Sequence, residues 1–179
     1  MADHEIIYAG FGGQGLLFAG KVLAYGGLLE DKEVSWLPSY GPEMRGGTAN
    51  CNVIISETPV GSPIVQHPSA LVVMNTPSLD KYESMVAPGG KIFVDSTLIS
   101  RKVARTDVDV FYIPATQMAA DMNMNGLANM ILLGAVLQVT GCLKDETVPD
   151  ALKQVVPARK AHLMEPNLRA IQAGRDFVQ

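Results

Sequence analysis

The segment Glu5-Ile6-Ile7-Tyr8-Ala9-Gly10-Phe11-Gly12-Gly13-Gln14-Gly15, which leads into the apolar stretch up to Leu29, decides the fold of this chain. Its first part, Glu5–Ala9, is short and apolar and is predicted as a strand closed by Gly10. A helix is predicted over Gln14–Leu29, with Lys21 as its only charge, which is typical of a helix packed on a sheet and also covered elsewhere. A strand, a glycine-rich turn and a helix in this order indicate the start of an α/β domain.

The turn, which we call loop 1 (Gly10–Gly15), fits the GxGxxG spacing through Gly10, Gly12 and Gly15. Such glycines permit a tight turn and a close backbone approach to a phosphate, with amides aimed from the helix N-terminus. Taken alone, the pattern predicts nicotinamide or flavin binding. The candidate ligand-binding or interface residues of this loop are Gly10, Gly12, Gly13, Gln14 and Gly15.

A dinucleotide site also needs a carboxylate at the end of the second strand, where it holds the ribose hydroxyls. Here Glu30, Asp31 and Glu33 precede that strand or start it, and its far end is Leu37-Pro38-Ser39. Two interpretations therefore stay open: loop 1 binds an anion, or its glycines only permit a close approach of strand and helix.

The rest of the chain alternates strand and helix patterns. Further strands are predicted over Glu33–Leu37 (ended by Pro38), Thr48–Ser56, Gly61–Val65, Ala70–Met74, Lys91–Asp95 and Val110–Ile113. One helix is predicted to begin with Thr76 as its N-cap and Pro77 as its first residue. Four more helices are predicted over Thr116–Met122, Leu127–Thr140, Val148–Val155 and Lys160–Gln172. This alternation predicts one α/β domain over residues 1–179, a three-layer, mostly parallel, doubly wound sheet of Rossmann-like type.

Composition excludes several classes of protein. The net charge is −4 and no run of Lys or Arg exists, so a nucleic-acid partner is not expected. The longest apolar stretch, Met130–Leu137, is too short to span a membrane, and the polar, acidic N-terminus is unlike a signal peptide. Cys51 and Cys142 are isolated thiols without a metal-ligand pattern. We therefore expect a cytoplasmic protein with no membrane partner and no metal site of its own.

A second loop, loop 2 (Tyr40–Gly47), follows the second predicted strand and is expected at the same edge of the sheet as loop 1. Its candidate residues are Tyr40, Gly41, Pro42, Glu43, Met44, Arg45, Gly46 and Gly47. Arg45 has the geometry to grip a phosphate or carboxylate. Equally, Glu43 and Arg45 can pair with each other and shape a protein interface.

Loops 1 and 2 together resemble the gamma subunit, or gamma domain, of the 2-oxoacid:ferredoxin oxidoreductases. Ser62-Pro63, Pro88-Gly89-Gly90 and Asn129-Met130 with Leu133-Gly134 extend the resemblance over nearly the whole chain. It implies a complex that converts a 2-oxoacid to an acyl-CoA with thiamine diphosphate, magnesium, iron–sulfur clusters and coenzyme A. It also implies alpha, beta and in some cases delta subunits as partners, and ferredoxin as the acceptor.

The resemblance places the cofactors in the other subunits, so no catalytic residue is assigned to this chain, which is expected to be inactive alone. A 2-oxoglutarate or branched-chain 2-oxoacid substrate is favoured by analogy with the family. Asn129, near the start of an apolar helix that is expected to be buried on every side, is a further candidate for ligand contact. Two alternatives remain: a stand-alone dinucleotide-binding oxidoreductase, and an interaction domain whose loop 1 binds nothing.

Overall fold

The computed structural model describes residues 3–40 and 48–179, and its centre is a six-stranded sheet of order β2-β3-β1-β4-β5-β6. The strands are β1 (His4–Phe11), β2 (Glu33–Tyr40), β3 (Thr48–Ser56), β4 (Ala70–Val73), β5 (Lys91–Asp95) and β6 (Asp109–Ile113). β1, β4, β5 and β6 pair in parallel, whereas β3 is antiparallel to both β1 and β2. Five strands thus share one direction, which confirms the mostly parallel sheet.

Helices cover both faces of this sheet. They are α1 (Leu16–Leu29), α2 (Thr76–Tyr82), α3 (Ala115–Asp121), α4 (Ala128–Thr140), α5 (Val148–Val155) and α6 (Met164–Phe177). Alternate strand residues point to opposite faces, so Ile6 and Tyr8 pack with the cluster under α1 and α4, and Ile7 and Ala9 pack with that under α2. The three-layer α/β fold is therefore confirmed.

α4 is the most deeply buried helix of the described chain. Every residue from Ala128 to Leu137 is buried, as the apolar sequence predicts. One side of α4 faces the core under the sheet, and α6 crosses its other side at Gly134 and Gly174. The fold therefore depends on a close contact between two helices far apart in sequence.

Three strand predictions need correction. β1 does not end at Gly10 but continues to Phe11, because β3 pairs along its whole length and sets Phe11 opposite Thr48. β2 does not end at Pro38 but runs to Tyr40; it lies at the sheet edge, where a strand can tolerate a missing N–H. Residues 61–65 form no strand and belong to an irregular connection that holds Val65 in the core and leaves Ile64 exposed.

Two helix predictions were also wrong in detail. Asn75, not Thr76, is the N-cap of α2: its backbone is extended and its Oδ1 accepts a hydrogen bond from Ser78 N at 2.9 Å. Asn outranks Thr at this position because its carbonyl reaches the first-turn amides well. The last helix begins at Met164 instead of Lys160, since the residues before it form a 3₁₀ segment over Ala158–Leu163.

A buried carboxylate, Glu83, ties the connection between β5 and β6 to the end of α2. Its Oε2 accepts from Arg101 Nη2 at 2.6 Å and its Oε1 accepts from Ala104 N at 2.5 Å. Burial by itself would raise the pKa of Glu83, but these bonds outweigh it and hold the pKa below the ordinary value of 4.5. The carboxylate form is therefore the stabilising form.

We expect the Glu83 contribution to stability to be complete above pH 4.5 and to be lost as the pH falls through the lower pKa of the folded state. Glu83→Gln should cost about 1–3 kcal/mol at neutral pH, because amides and Arg101 lose a charged acceptor. It should also flatten the acid limb of a plot of unfolding free energy against pH. Glu165→Gln is the control, since Glu165 is exposed and pairs with Arg169 only at 3.9 Å. An acid limb as steep as that of the wild type would contradict the assignment.

Candidate functional site

Loop 1 lies at the carboxyl end of β1, beside the carboxyl end of β4. From here β1 leads through α1 to β2 on one side of β1, and β4 leads through α2 to β5 on the other side. Gly13 and Gly15 have φ values of 90° and 75°, in the left-handed region that favours glycine. Gly15 is the N-cap of α1; no side chain of the described residues caps that helix, and its first turn contains no acidic residue. The glycines at these two positions are therefore required by the backbone whether or not a ligand binds.

The side chain of Gln14 bridges the carboxyl ends of β1 and β4. Its Oε1 accepts from Phe11 N at 2.6 Å, and its Nε2 donates to Met74 O at 3.1 Å. A Cβ on Gly10 would collide with Gln14 Oε1 and would lie 2.7 Å from Leu16 Cδ1. Gly10 is thus explained by the packing of Gln14 and Leu16, which favours the interpretation that these glycines permit close packing.

Gln14→Ala should lower the free energy of unfolding by about 1 kcal/mol, because a bridge between two strand ends is lost. It should also speed hydrogen exchange at the Phe11 amide, which loses its acceptor. Gln172→Ala is the matched control, since Gln172 bonds Asp176 on the exposed side of α6. Unchanged exchange at Phe11 would show that the bridge does not hold loop 1.

Asn129, the third candidate, lies against loop 1 at the start of α4. Its Nδ2 donates to Gly15 O at 3.0 Å, so it joins the N-terminal ends of α1 and α4. Asn129 is buried, and its Oδ1 has no partner among the described residues. The structure therefore brings Asn129 and loop 1 together, with the amide engaged in packing.

The interior of loop 2, residues 41–47, lies outside the described residues, and so do the candidates Gly41, Pro42, Glu43, Met44, Arg45, Gly46 and Gly47. The backbone at both ends of this segment is described. Tyr40 is opposite Ala49, and Thr48 is opposite Phe11. Both ends of loop 2 therefore lie, like loop 1, at the carboxyl end of β1.

The placement of β3 bears on dinucleotide binding. β3 lies between β1 and β2, so the end of β2 is one strand further from loop 1 than in a sheet where the two strands are neighbours. The end of β2 also lacks a carboxylate, since it reads Leu37-Pro38-Ser39-Tyr40. Within residues 3–40 and 48–179, the end of β2 therefore supplies no carboxylate for the ribose hydroxyls of a dinucleotide.

Sequence reasoning missed Asp95, a fully buried carboxylate at the carboxyl end of β5. Asp95 Oδ2 accepts from Thr116 Oγ1 at 2.6 Å, and Oδ1 accepts from Thr97 N at 3.1 Å. An acid directly after the apolar run Ile92-Phe93-Val94 is the signal that could have found it. These bonds order the loops that border a cleft of about 330 Å³ beside Gly13 and Gln14.

Cys51 and Cys142 are both free thiols, and both are buried. Burial raises the pKa of Cys51 to about 12, and burial also raises the pKa of Cys142. Both thiols therefore behave as small buried hydrophobes. In residues 3–40 and 48–179, no three His, Cys, Asp or Glu side chains gather as metal ligands. No helix in the same ranges has the length and apolarity to cross a membrane.

The family model for pyruvate ferredoxin/flavodoxin oxidoreductase matches residues 5–177. Ketoisovalerate oxidoreductase subunit VorA of Methanothermobacter thermautotrophicus is 41% identical over 173 residues, which cover 96% of this chain but only 35% of VorA. The chain thus spans about a third of that relative's length. 2-oxoglutarate synthase subunit KorC of Methanocaldococcus jannaschii is 36% identical over 178 residues, and here the match covers 98% of this chain and 94% of KorC.

A solved structure has the same fold over the full length. The gamma subunit of a keto/oxoacid ferredoxin oxidoreductase from Geobacter sulfurreducens superposes with a TM-score of 0.83 at 30% identity, and the match covers 98% of both chains. The family match and the two relatives agree with this result. The chain therefore belongs to the pyruvate ferredoxin/flavodoxin oxidoreductase family.

Proposed function

We propose that this chain is the gamma subunit of a cytoplasmic, multi-subunit 2-oxoacid:ferredoxin oxidoreductase, and that it assembles the complex and shapes its site. The observation that carries the proposal is the family match over residues 5–177 together with KorC, a relative of nearly the same length. The partners are alpha and beta subunits, with a delta subunit in some complexes, and ferredoxin accepts the electrons. The chain alone is inactive.

The substrate is 2-oxoglutarate or a branched-chain 2-oxoacid. The names of KorC and VorA, a 2-oxoglutarate synthase subunit and a ketoisovalerate oxidoreductase subunit, support this choice. The complex decarboxylates the 2-oxoacid oxidatively and yields an acyl-CoA. Thiamine diphosphate, magnesium, iron–sulfur clusters and coenzyme A supply the chemistry of such a complex.

The described residues of this chain do not fit thiamine diphosphate with magnesium, or an iron–sulfur cluster. Asp95, the buried carboxylate at the carboxyl edge, is already bonded to Thr116 and Thr97. Gln14 is engaged with Phe11 N and Met74 O beside loop 1, and the two thiols are buried in the core without further Cys or His ligands gathered near them among the described residues. We therefore assign those cofactors to the other subunits, and give loops 1 and 2 the role of one wall of a site that the partners complete.

The direct test is to purify the complex with and without this chain and to measure viologen reduction with a panel of 2-oxoacids and coenzyme A. We expect full activity only with this chain present, and the highest kcat/KM for 2-oxoglutarate or a branched-chain 2-oxoacid. An equally active complex that lacks the chain would refute the proposal. Activity confined to pyruvate or aryl 2-oxoacids would refute the substrate choice.

Whether loop 2 contacts a ligand is tested through Arg45. We expect Arg45→Ala to raise the KM of the assembled enzyme for the 2-oxoacid or for coenzyme A, with Arg45→Lys intermediate, because a lysine keeps the charge but loses the bidentate geometry. The packing of Gln14 in loop 1 favours the competing interpretation, a purely structural interaction domain. Unchanged kinetics in both variants would support that interpretation. A titration of the isolated wild-type chain with NAD, NADP and FAD tests the stand-alone dinucleotide-binding alternative, and we expect no tight binding.

A further inference from the structure

The connection between α5 and α6, residues 157–163, is the longest run of exposed residues in the described chain. It reads Pro-Ala-Arg-Lys-Ala-His-Leu, and we call it the basic segment. Its backbone forms 3₁₀ turns over Ala158–Leu163, with a kink at Lys160. The segment lies on the side of the sheet that carries α1 and α4, because Val156 before it and Met164 after it pack with the core cluster of that side.

Although the basic segment is exposed, its backbone is held in place. Asn167, which is only 4% exposed, donates from Nδ2 to Leu163 O at 2.7 Å. Lys160 N donates to Pro157 O at 2.8 Å, and the ring of Pro157 fixes its own φ. A buried amide side chain thus anchors a surface segment, so little backbone entropy is lost when another surface binds to it.

The charge of the basic segment is opposite to that of the chain as a whole. Arg159 and Lys160 lie within residues 154–164, which contain no acid, whereas the chain has a net charge of −4. The acids nearest to the segment in sequence are already paired, each with a cation of its own helix. Within residues 3–40 and 48–179, no carboxylate pairs with Arg159 or Lys160, so both cations are available to a partner.

The chemistry of the segment selects an occupant that carries carboxylates. A nucleic acid or an anionic membrane calls for a larger basic patch, and the net charge of −4 would repel either. Carboxylates on a protein surface match the guanidinium of Arg159 bidentately. Leu163, 37% exposed beside the cations, adds apolar area that a lasting subunit contact buries and that a brief electrostatic encounter does not need.

We propose, resting on the proposed function, that the basic segment docks on an acidic surface of a partner subunit. Carboxylates of that subunit face Arg159 and Lys160, and an apolar side chain covers Leu163. Because the rest of this chain carries a net negative charge, an acidic partner is repelled by most of its surface and attracted here. Such a charge pattern fixes the orientation in which the subunits assemble.

The test measures the dissociation constant between the full chain and the co-expressed remaining subunits by biolayer interferometry, at about 50 and about 500 mM NaCl. Arg159→Glu combined with Lys160→Glu reverses the two charges, and Leu163→Ser removes the apolar contact. Lys81→Glu combined with Lys102→Glu is the matched control. It makes the same change in net charge at two exposed lysines on the other side of the sheet, each of which lies over a tyrosine of the cluster under α2.

We expect the reversed pair to weaken assembly about tenfold or more at the lower salt concentration and clearly less at the higher one, because salt screens exposed charges. Leu163→Ser should weaken it about fivefold at both concentrations, since an apolar contact is not screened. The control should change it by less than about threefold. All substituted side chains are exposed, so circular dichroism should show unchanged folding.

Wild-type affinity in both segment variants, or equal losses in the reversed pair and the control, would overturn the docking proposal while the proposed function stands. If the wild-type chain does not associate with the other subunits, the proposed function fails first. Unchanged assembly with a raised KM for ferredoxin would assign the segment to the electron acceptor. Self-association of the isolated chain that the reversed pair abolishes would assign it to a second copy, and either result overturns the proposal.

Discussion

Gly134→Ala is expected to destabilise the chain by about 3 kcal/mol or more, although alanine is a better helix former than glycine. α4 and α6 cross backbone to backbone at this point. A Cβ on Gly134 would collide with Ile171 O and lie 2.7 Å from Ile171 C, and neither atom belongs to a side chain that could rotate away. The gain in helix propensity, about 1 kcal/mol, is smaller than the cost of separating two packed helices.

The reciprocal substitution, Gly174→Ala, should have an effect of the same size, because its Cβ would meet Ile131 O and lie 2.7 Å from Ile131 C. Gly61→Ala is the control: a Cβ there would have no atom of the described residues within 4 Å, and its change in stability should stay within about 0.5 kcal/mol. Urea denaturation monitored by circular dichroism measures all three. A Gly134→Ala protein as stable as the wild type would mean that α4 and α6 do not approach this closely.

Gly15→Ala has the second-largest expected effect, a loss of about 2–3 kcal/mol in the free energy of unfolding. Two costs add at this residue. Its φ of 75° disfavours any residue with a Cβ, by about 1–2 kcal/mol. The new Cβ would also collide with Asn129 Nδ2 and lie 2.8 Å from Asn129 Cγ, which breaks the hydrogen bond from Asn129 to Gly15 O.

Two further variants separate these costs. Gly13→Ala meets only the backbone cost, because Gly13 has a φ of 90° and, in the part of the chain that the structure describes, no atom lies within 4 Å of an added Cβ. It should lose about 1 kcal/mol. In an Asn129→Ala background, Gly15→Ala should likewise cost only about 1 kcal/mol, since the collision is gone. Equal losses for Gly15→Ala in both backgrounds would show that Asn129 does not pack on loop 1.

Local patterns were sufficient for most of the fold. Strand, turn and helix at the N-terminus followed from a short apolar run, spaced glycines and a long apolar stretch, because each feature acts over a few residues. The burial of Ala128–Leu137 followed from its apolar composition all round. The strand predictions were wrong where pairing with another strand determines the extent of a strand. β1 extends past Gly10 because β3 pairs with it, and residues 61–65 pair with no strand of the described chain.

The candidate site was less predictable. The GxGxxG spacing is compatible with a nucleotide or with tight packing, and only the hydrogen bonds of the Gln14 side chain distinguish the two. Asp95 gave a weak signal in the sequence, since its partner Thr116 lies 21 residues away along the chain and is brought to it by the fold. This contact is set by packing and not by spacing along the chain.

By itself, the sequence determined the α/β class, the strand–turn–helix unit that ends in Gly15, and the family, because these depend on periodicity and on motifs read along the chain. Only the tertiary structure decided that β3 separates β1 from β2, that Gln14 of loop 1 bonds Met74 O at the end of β4, and that Asn129 packs on Gly15. Each of these is a contact between segments far apart in sequence. Such contacts are decided by the packing of the whole chain, in which the volume and hydrogen bonds of every segment must be satisfied together.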